Sequence, residues 1–219
     1  MLKNLLIYVD PIKGFNKEHQ ILAKIQIDWS LEMGWKPEDI WLVTNFPYEY
    51  HGVRAMQVED DCYYPMFNRA TKVPVINRMF EKGWITDEVW FHDFDAFQLQ
   101  PLECNSDFAI TQYGKNSKGC KENKWNAGSF FFKNAHDTFK LIEKVMYGHG
   151  IDEENALTHM NDYGFNNFEL LDISYNSHVY CPVNDKIKVA HFHPFKPHHR
   201  KLFENILPDK LKELCNTLI

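Results

Sequence analysis

Apolar and polar positions follow two rhythms along this chain. Leu5-Leu6-Ile7-Tyr8-Val9 is a short continuous apolar run, which predicts a strand buried on both faces. From Asn16 the spacing changes. Ile21, Ile25 and Trp29 recur every four residues with Leu22 beside them, so an amphipathic helix is predicted from Lys17 to Met33, stopped at Gly34. Ile40 to Val43 predicts a second strand, and an irregular polar and aromatic stretch follows from Asn45 to Arg69. Pro74 opens a predicted helix through Val75, Met79 and Phe80 that Gly83 closes. Val89-Trp90-Phe91 is the next strand. Further strands are predicted near Phe108 to Thr111, Ser129 to Phe132, Leu170 to Ile173 and Ile187 to His191. Helices are predicted from about Asp137 to Met146 and from Asp152, and a C-terminal helical segment is interrupted by Pro208.

Strands and helices alternating in this way indicate an α/β fold with a mostly parallel central sheet flanked by helices. No repeat, low-complexity tract or linker divides the 219 residues, and that length suits a single domain. Aromatic residues make up 15% of the chain, enough to fill a core and to line a pocket. The formal charge of −6 provides no global field for DNA or RNA. Basic residues gather locally from His191 to Lys201, which fits a small anion such as a phosphate or pyrophosphate. The five cysteines (Cys62, Cys104, Cys120, Cys181 and Cys215) are odd in number and lack close paired spacing, so a reduced compartment is expected. The first apolar run has no small-residue cleavage site, and no stretch reaches the roughly 18 apolar residues of a membrane span. The expectation is a soluble, cytoplasmic protein.

The chemistry concentrates at Asp93-Phe94-Asp95, which directly follows the Val89 strand. Open α/β sheets bind ligands beyond the carboxyl ends of their strands. Two carboxylates one residue apart in such a place are costly unless a cation or hydrogen-bond donors compensate them. Mg²⁺ or Mn²⁺ would do so, being hard ions that take oxygen ligands and leave positions open for diphosphate oxygens. If residues 187–193 stay extended, His191 and His193 share one face and either could join the aspartates.

The segment from Val89 through Asp93-Phe94-Asp95 to Pro101-Leu102 resembles the strand and D-x-D segment of GT-A fold glycosyltransferases. Trp125 to Asn134 is similar to that family's asparagine-glycine strand, Asp152 to Leu157 to its acidic helix start, and Val189 to Pro197 to its late His…Lys-Pro element. The four segments fall in the family's order, and the glycogenin-like and small viral or bacterial enzymes are the nearest match. The resemblance implies a single GT-A (Rossmann-like) domain. Residues 1–100 would form a nucleotide-binding half ending in D-x-D, and residues 101–219 an acceptor and metal half with C-terminal helices. It implies a metal-dependent glycosyltransferase that moves a sugar from a nucleoside-diphosphate sugar, with a bias to UDP, to a glycan or other hydroxyl acceptor.

The resemblance also implies roles for particular residues. Asp93, Asp95 and His191 would bind the metal, with His193 the second choice. Tyr8, Val9, Lys72, Arg78, Asp93 and Lys196 would meet the donor nucleotide. Asn126, Ala127 and Gly128 would meet the sugar or acceptor, and Asp152 and Glu153 are the candidate catalytic carboxylates. The late element is one residue shorter than the glycogenin-like form and has His193-Pro194 where a glycine is common.

Three rival readings use the same residues. An Asp-dependent phosphatase or phosphotransferase also places Asp-x-Asp after an apolar strand, but with a small or hydroxylated residue where Phe97 stands. A metallohydrolase on His191-x-His193 would need an acidic ligand nearby, and none lies between Val189 and Lys201. A non-catalytic nucleotide-sugar-binding module would hold its ligand with the same side chains as an enzyme.

Overall fold

The computed structural model describes residues 1–114, 124–165, 168–179 and 181–218. The first half contains β1 (Lys3–Tyr8), α1 (Lys17–Glu32), β2 (Ile40–Thr44), the short strands β3 (Glu49–Tyr50), β4 (Val53–Arg54) and β5 (Met56–Gln57), then α2 (Lys72–Glu81), β6 (Val89–His92) and β7 (Ala96–Gln98). The second half contains β8 (Phe108–Gln112), β9 (Trp125–Phe132), α3 (His136–His149), α4 (Glu153–Asp162), β10 (Glu169–Leu170), β11 (Ser177–His178), β12 (Val189–His191), α5 (Pro197–Phe203) and α6 (Asp209–Leu218). Seven strands form the main sheet in the order β10-β8-β9-β6-β1-β2-β5. It is mostly parallel: β9 alone runs against its neighbours β6 and β8. A smaller sheet, β11-β12-β7, stands at the site end of the molecule.

The apolar run of β1 is continuous because both of its faces are covered. Leu5 belongs to the apolar cluster that includes Ile76 and Met79 of α2 and Ile142 of α3, and Leu6 to the one that includes Leu22, Ala23 and Ile27 of α1. Both leucines are fully buried, each worth about 1.5–3 kcal/mol. A separate apolar group ties the C-terminal region to the first helix: Phe97, Ala190, Phe192, Phe203 and Leu211 pack on Ile25 and Trp29. That packing holds β12 against β7.

Several predicted boundaries move. Helix α2 starts at Lys72 rather than Pro74, which the proline permits because amides of a first helical turn have no intrahelical acceptor. The strand expected from Leu170 to Ile173 ends at Leu170. Asp172 then accepts from the Ser174 amide at 2.9 Å and starts a 3-10 turn over Ile173–Asn176, since an aspartate there bonds its own backbone instead of extending a ladder. The final strand stops at His191. Beyond it Pro194 has no amide to donate, and a turn closes from the Lys196 amide to the His193 carbonyl at 3.0 Å. His193 is therefore not in the extended register expected of it.

Among the described residues, no helix is long and apolar enough to cross a membrane. Cys62, Cys104, Cys181 and Cys215 are free thiols; Cys120 lies outside the described residues.

Candidate active site

Strand β6 runs out into Asp93-Phe94-Asp95, and the turn is fixed by two backbone bonds, Asp93 N–H to Gly128 O at 2.9 Å and Ala96 N–H to Asp93 O at 3.0 Å. Phe94 is buried among the rings of Tyr8, Phe15 and His19, which anchors the aspartates on either side of it. Strand β12 pairs antiparallel with β7 and sets His191 opposite Ala96. The two carboxylates and the imidazole then converge: one ligand atom from each of Asp93, Asp95 and His191 lies within 4.8 Å of the others. His191 Nε2 is 3.1 Å from Asp95 Oδ1. On the other side of the ring, Nδ1 is 3.0 Å from Asn176 Oδ1.

Gly128 is what allows the imidazole this position. A Cβ at residue 128 would stand 2.2 Å from His191 Cε1 and 2.6 Å from Nδ1, far inside contact distance. The sequence suggested a sugar contact for this glycine; the structure fills the space beside it with His191.

The electrostatics of the group follow from burial opposed by pairing. Burial works to raise the Asp95 pKa, but the adjacent imidazole overrides it and holds the carboxyl well below its ordinary range. Burial likewise opposes protonation of His191, and Asp95 overrides it and raises the His191 pKa. For Asp93 burial wins, and its pKa is raised despite Lys72 and His191. His92, just before the pair, is driven down to about 3 by burial and is neutral.

Lys72 opens α2 and points inward, only 5% exposed. Its ammonium meets Asp93 Oδ1 at 3.1 Å, Glu153 Oε1 at 3.2 Å and the Ala127 carbonyl at 3.0 Å, so its three protons have three acceptors. Burial opposes the charge, yet the two carboxylates raise the Lys72 pKa above its ordinary value. Glu153 is the first residue of α4 and is buried, and its Oε2 has no hydrogen-bond partner among the described residues. Asp152 caps the same helix: Oδ1 accepts from the Asn155 amide at 2.9 Å and Oδ2 pairs with Arg69. Glu154 accepts from the Ala127 amide and from the Tyr113 hydroxyl, each at 3.2 Å. Three acidic residues that looked alike in sequence thus have three separate attachments.

A cleft of about 330 Å³ opens beside the group, lined by Tyr8, Val9 and Asp10 at the end of β1 and by Arg69, Lys72 and His193 among others. Of the residues singled out in the sequence, Tyr8, Val9, Lys72, Asp93 and Asp95 line it, whereas His191, Asp152 and Glu153 do not. Arg78 does not line it; its guanidinium binds Glu59 at 2.7 Å and Glu81 at 3.0 Å on the outer side of α2. Arg69 lies on the cleft instead, and the sequence had no signal for it beyond a basic residue in an irregular loop. Lys196 stands at the residue before α5, without a side-chain cap, and is absent from the lining. Asn126 is buried, its carbonyl accepting from the Asn176 amide at 3.2 Å. His193, the second choice for the metal, bonds Glu18 at 3.0 Å rather than the aspartates.

Two carboxylates and one imidazole beside an open cleft are a donor set that suits Mg²⁺ or Mn²⁺. A second acidic grouping, Glu59, Asp61 and Cys62, does not. Arg78 and Lys82 already neutralise Glu59, each at 2.7 Å, and burial pushes the Cys62 thiol up to about 12.

No protein-family model matches this sequence, and no curated protein sequence does. Solved structures do match. The galactosyltransferase LgtC, crystallised with donor and acceptor sugar analogs, aligns over 99% of this chain and 96% of its own at 12% identity and a TM-score of 0.58. A glycosyltransferase involved in glycosylation of the PBCV-1 major capsid aligns over 87% of this chain and 91% of its own, at 13% identity and a TM-score of 0.52. The glycosyltransferase GlyE of Streptococcus pneumoniae TIGR4 aligns over 99% of this chain but 63% of its own, at 11% identity and a TM-score of 0.59. At such identities the likeness is one of fold: the chain has the GT-A-type glycosyltransferase fold.

Proposed function

We propose that this chain is a glycosyltransferase that moves a sugar from a nucleoside-diphosphate sugar, with UDP the favoured carrier, to a hydroxyl of a glycan or other acceptor. Mn²⁺ or Mg²⁺ would be held by Asp93, Asp95 and His191. The observation that carries the reading is the convergence of those three side chains, from segments 96 residues apart, with both aspartates on a cleft beyond the end of β1. A divalent ion bound there would offset the charge that grows on the diphosphate as it departs.

The chain's own groups supply binding and orientation. Tyr8, Val9 and Asp10 border the room for the nucleoside, and Asp93 faces the same cleft. Arg69 takes the donor-side part expected of Arg78, and Lys72 contributes fixed positive charge beside Asp93. Lys196 follows His193 by one turn; it lies outside the cleft lining, and this reading keeps it as a cation for the departing phosphate. Among the described residues Glu153 Oε2 is a buried acceptor without a donor, an arrangement that costs free energy until one is supplied; Glu153 is held beside Lys72 and is not among the residues lining the cleft. A sugar hydroxyl is the donor this reading assigns to it. Asp152 holds Arg69 and the start of α4 in register. Residues 1–100 then serve mainly the donor and residues 101–219 the acceptor, with Ala127 and Asn126 in the β9 wall between them.

The test is a thermal-shift panel of nucleotide sugars with and without Mn²⁺, followed by product analysis with a glycan and small-alcohol acceptor library. A ligand at 100 times its Kd stabilises the folded protein by about 2.7 kcal/mol. Stabilisation by a nucleotide sugar that grows with Mn²⁺, and a glycosylated product, are expected. A phosphoenzyme on Asp93, or no response to any nucleotide sugar, would overturn the proposal.

A further inference from the structure

Asn176 ends the 3-10 turn before β11 and is fully buried. Each end of its side-chain amide has a partner among the described residues. One end lies 3.2 Å from the backbone carbonyl of Asn126. A carbonyl can only accept, so this end is the NH₂ group. Asn126 is itself held in β9, paired with Thr111 of β8, so the reference point is rigid. The other end of the amide is therefore the oxygen, and it lies 3.0 Å from His191 Nδ1. That oxygen also only accepts, so Nδ1 carries a proton.

With Nδ1 engaged by Asn176, the ring turns Nε2 toward Asp95 Oδ1, 3.1 Å away. In the metal-free protein a proton on Nε2 bridges the two groups, and a cation bound by both would replace that proton. The ring cannot turn away, because Gly128 abuts Cε1 and Nδ1 and the His178 ring stands edge-on to it at a centroid distance of 5.3 Å. The geometry points to Asn176 as a positioning residue for a divalent cation: it selects the His191 tautomer whose Nε2 lone pair faces the carboxylates. This rests on the metal-bound reading of the site. The same arrangement, in which a second residue accepts the far N–H of a ligating imidazole, orients metal-bound histidines generally.

The test uses the full chain labelled with ¹⁵N at histidine, with imidazole correlations recorded without metal and with Mg²⁺, together with Mn²⁺ calorimetry. In the wild type Nδ1 is expected to be protonated in both states, with Nε2 the nitrogen that shifts on adding Mg²⁺. Asn176→Leu should weaken Mn²⁺ by about 10–100-fold. Asn176→Asp still offers Nδ1 an acceptor, so it should keep the tautomer and bind Mn²⁺ more tightly than Asn176→Leu does. An unprotonated Nδ1 in the wild type, or equal Mn²⁺ affinity in Asn176→Leu and the wild type, would overturn the assignment. If Asn176→Leu does not fold, the wild-type spectrum and Asn176→Asp decide. If the wild type binds no divalent cation, the metal-bound reading fails by itself, and the Nδ1 state of the metal-free protein still tests the hydrogen-bond assignment.

Discussion

Replacing Lys72 by methionine removes the one ammonium that lies between Asp93 and Glu153. At 3.1 and 3.2 Å and an effective dielectric of about 20, each ion pair is worth roughly 5 kcal/mol of attraction. Against this stands the cost of burying the ammonium, several kcal/mol, which the methionine avoids. The variant leaves the buried Glu153 carboxylate and the partly exposed Asp93 carboxylate without their cation; breaking a fully buried pair costs about 3–5 kcal/mol, and solvent at Asp93 brings the expected loss to roughly 2–3 kcal/mol. Urea denaturation at pH 7.5 measures it. The pH dependence gives a second, independent sign. The Asp93 pKa is already raised by burial in the wild type; without Lys72 it rises further, so the folded variant binds more protons than the unfolded chain and its stability falls as pH rises. The deficit should therefore shrink on going from pH 7.5 to pH 5. The raised Lys72 pKa of the wild type means that its own contribution is complete below its ordinary value and is lost only on the alkaline side, so it does not distort this window. A loss of under about 1 kcal/mol at pH 7.5, or one that grows on acidification, would refute the reasoning.

Three other outcomes follow from the same geometry. Asp95→Ala should leave the protein folded, abolish Mn²⁺-dependent nucleotide binding in calorimetry and lower transfer by roughly 100-fold or more; unchanged binding would remove Asp95 from the metal site. Gly128→Ala puts a Cβ 2.2 Å from His191 Cε1 and must displace the ring, so Mn²⁺ affinity should drop while nucleotide affinity measured without metal changes less. Equal losses in both would show that His191 is not the group displaced. Asp152→Ala and Glu153→Ala should differ: the first removes a helix cap, at about 1 kcal/mol of stability, and releases Arg69, while the second should lower transfer at saturating donor. Transfer rates unaffected by Glu153→Ala would leave its buried oxygen without a role.

Much of the framework was legible from residue patterns because it depends on neighbours in sequence. The continuous apolar run of β1 signalled a strand covered on both faces, the four-residue spacing of Ile21, Ile25 and Trp29 signalled α1, and Asp93 and Asp95 stood at a strand end. Both helices predicted around the acidic elements form, with small shifts at their ends. These are local matters of period, capping and chain reversal.

The composition of the site was decided elsewhere. His191 and His193 were equivalent while the chain was assumed to stay extended, and they separated only because β12 ends at His191 and the next turn carries His193 to Glu18. Arg69 replaced Arg78 on the cleft through the way the irregular loop packs before α2. Asn176 had no signal at all, since an asparagine in a polar stretch acquires meaning only when β11 and β12 lie side by side. Local periodicity sets which face a side chain takes within its own element. Which side chains then meet across 96 residues, as His191 and Asp95 do, depends on strand pairing and on the burial of Phe97, Phe192 and Phe203 against α1. Those energies arise only after the chain has closed on itself.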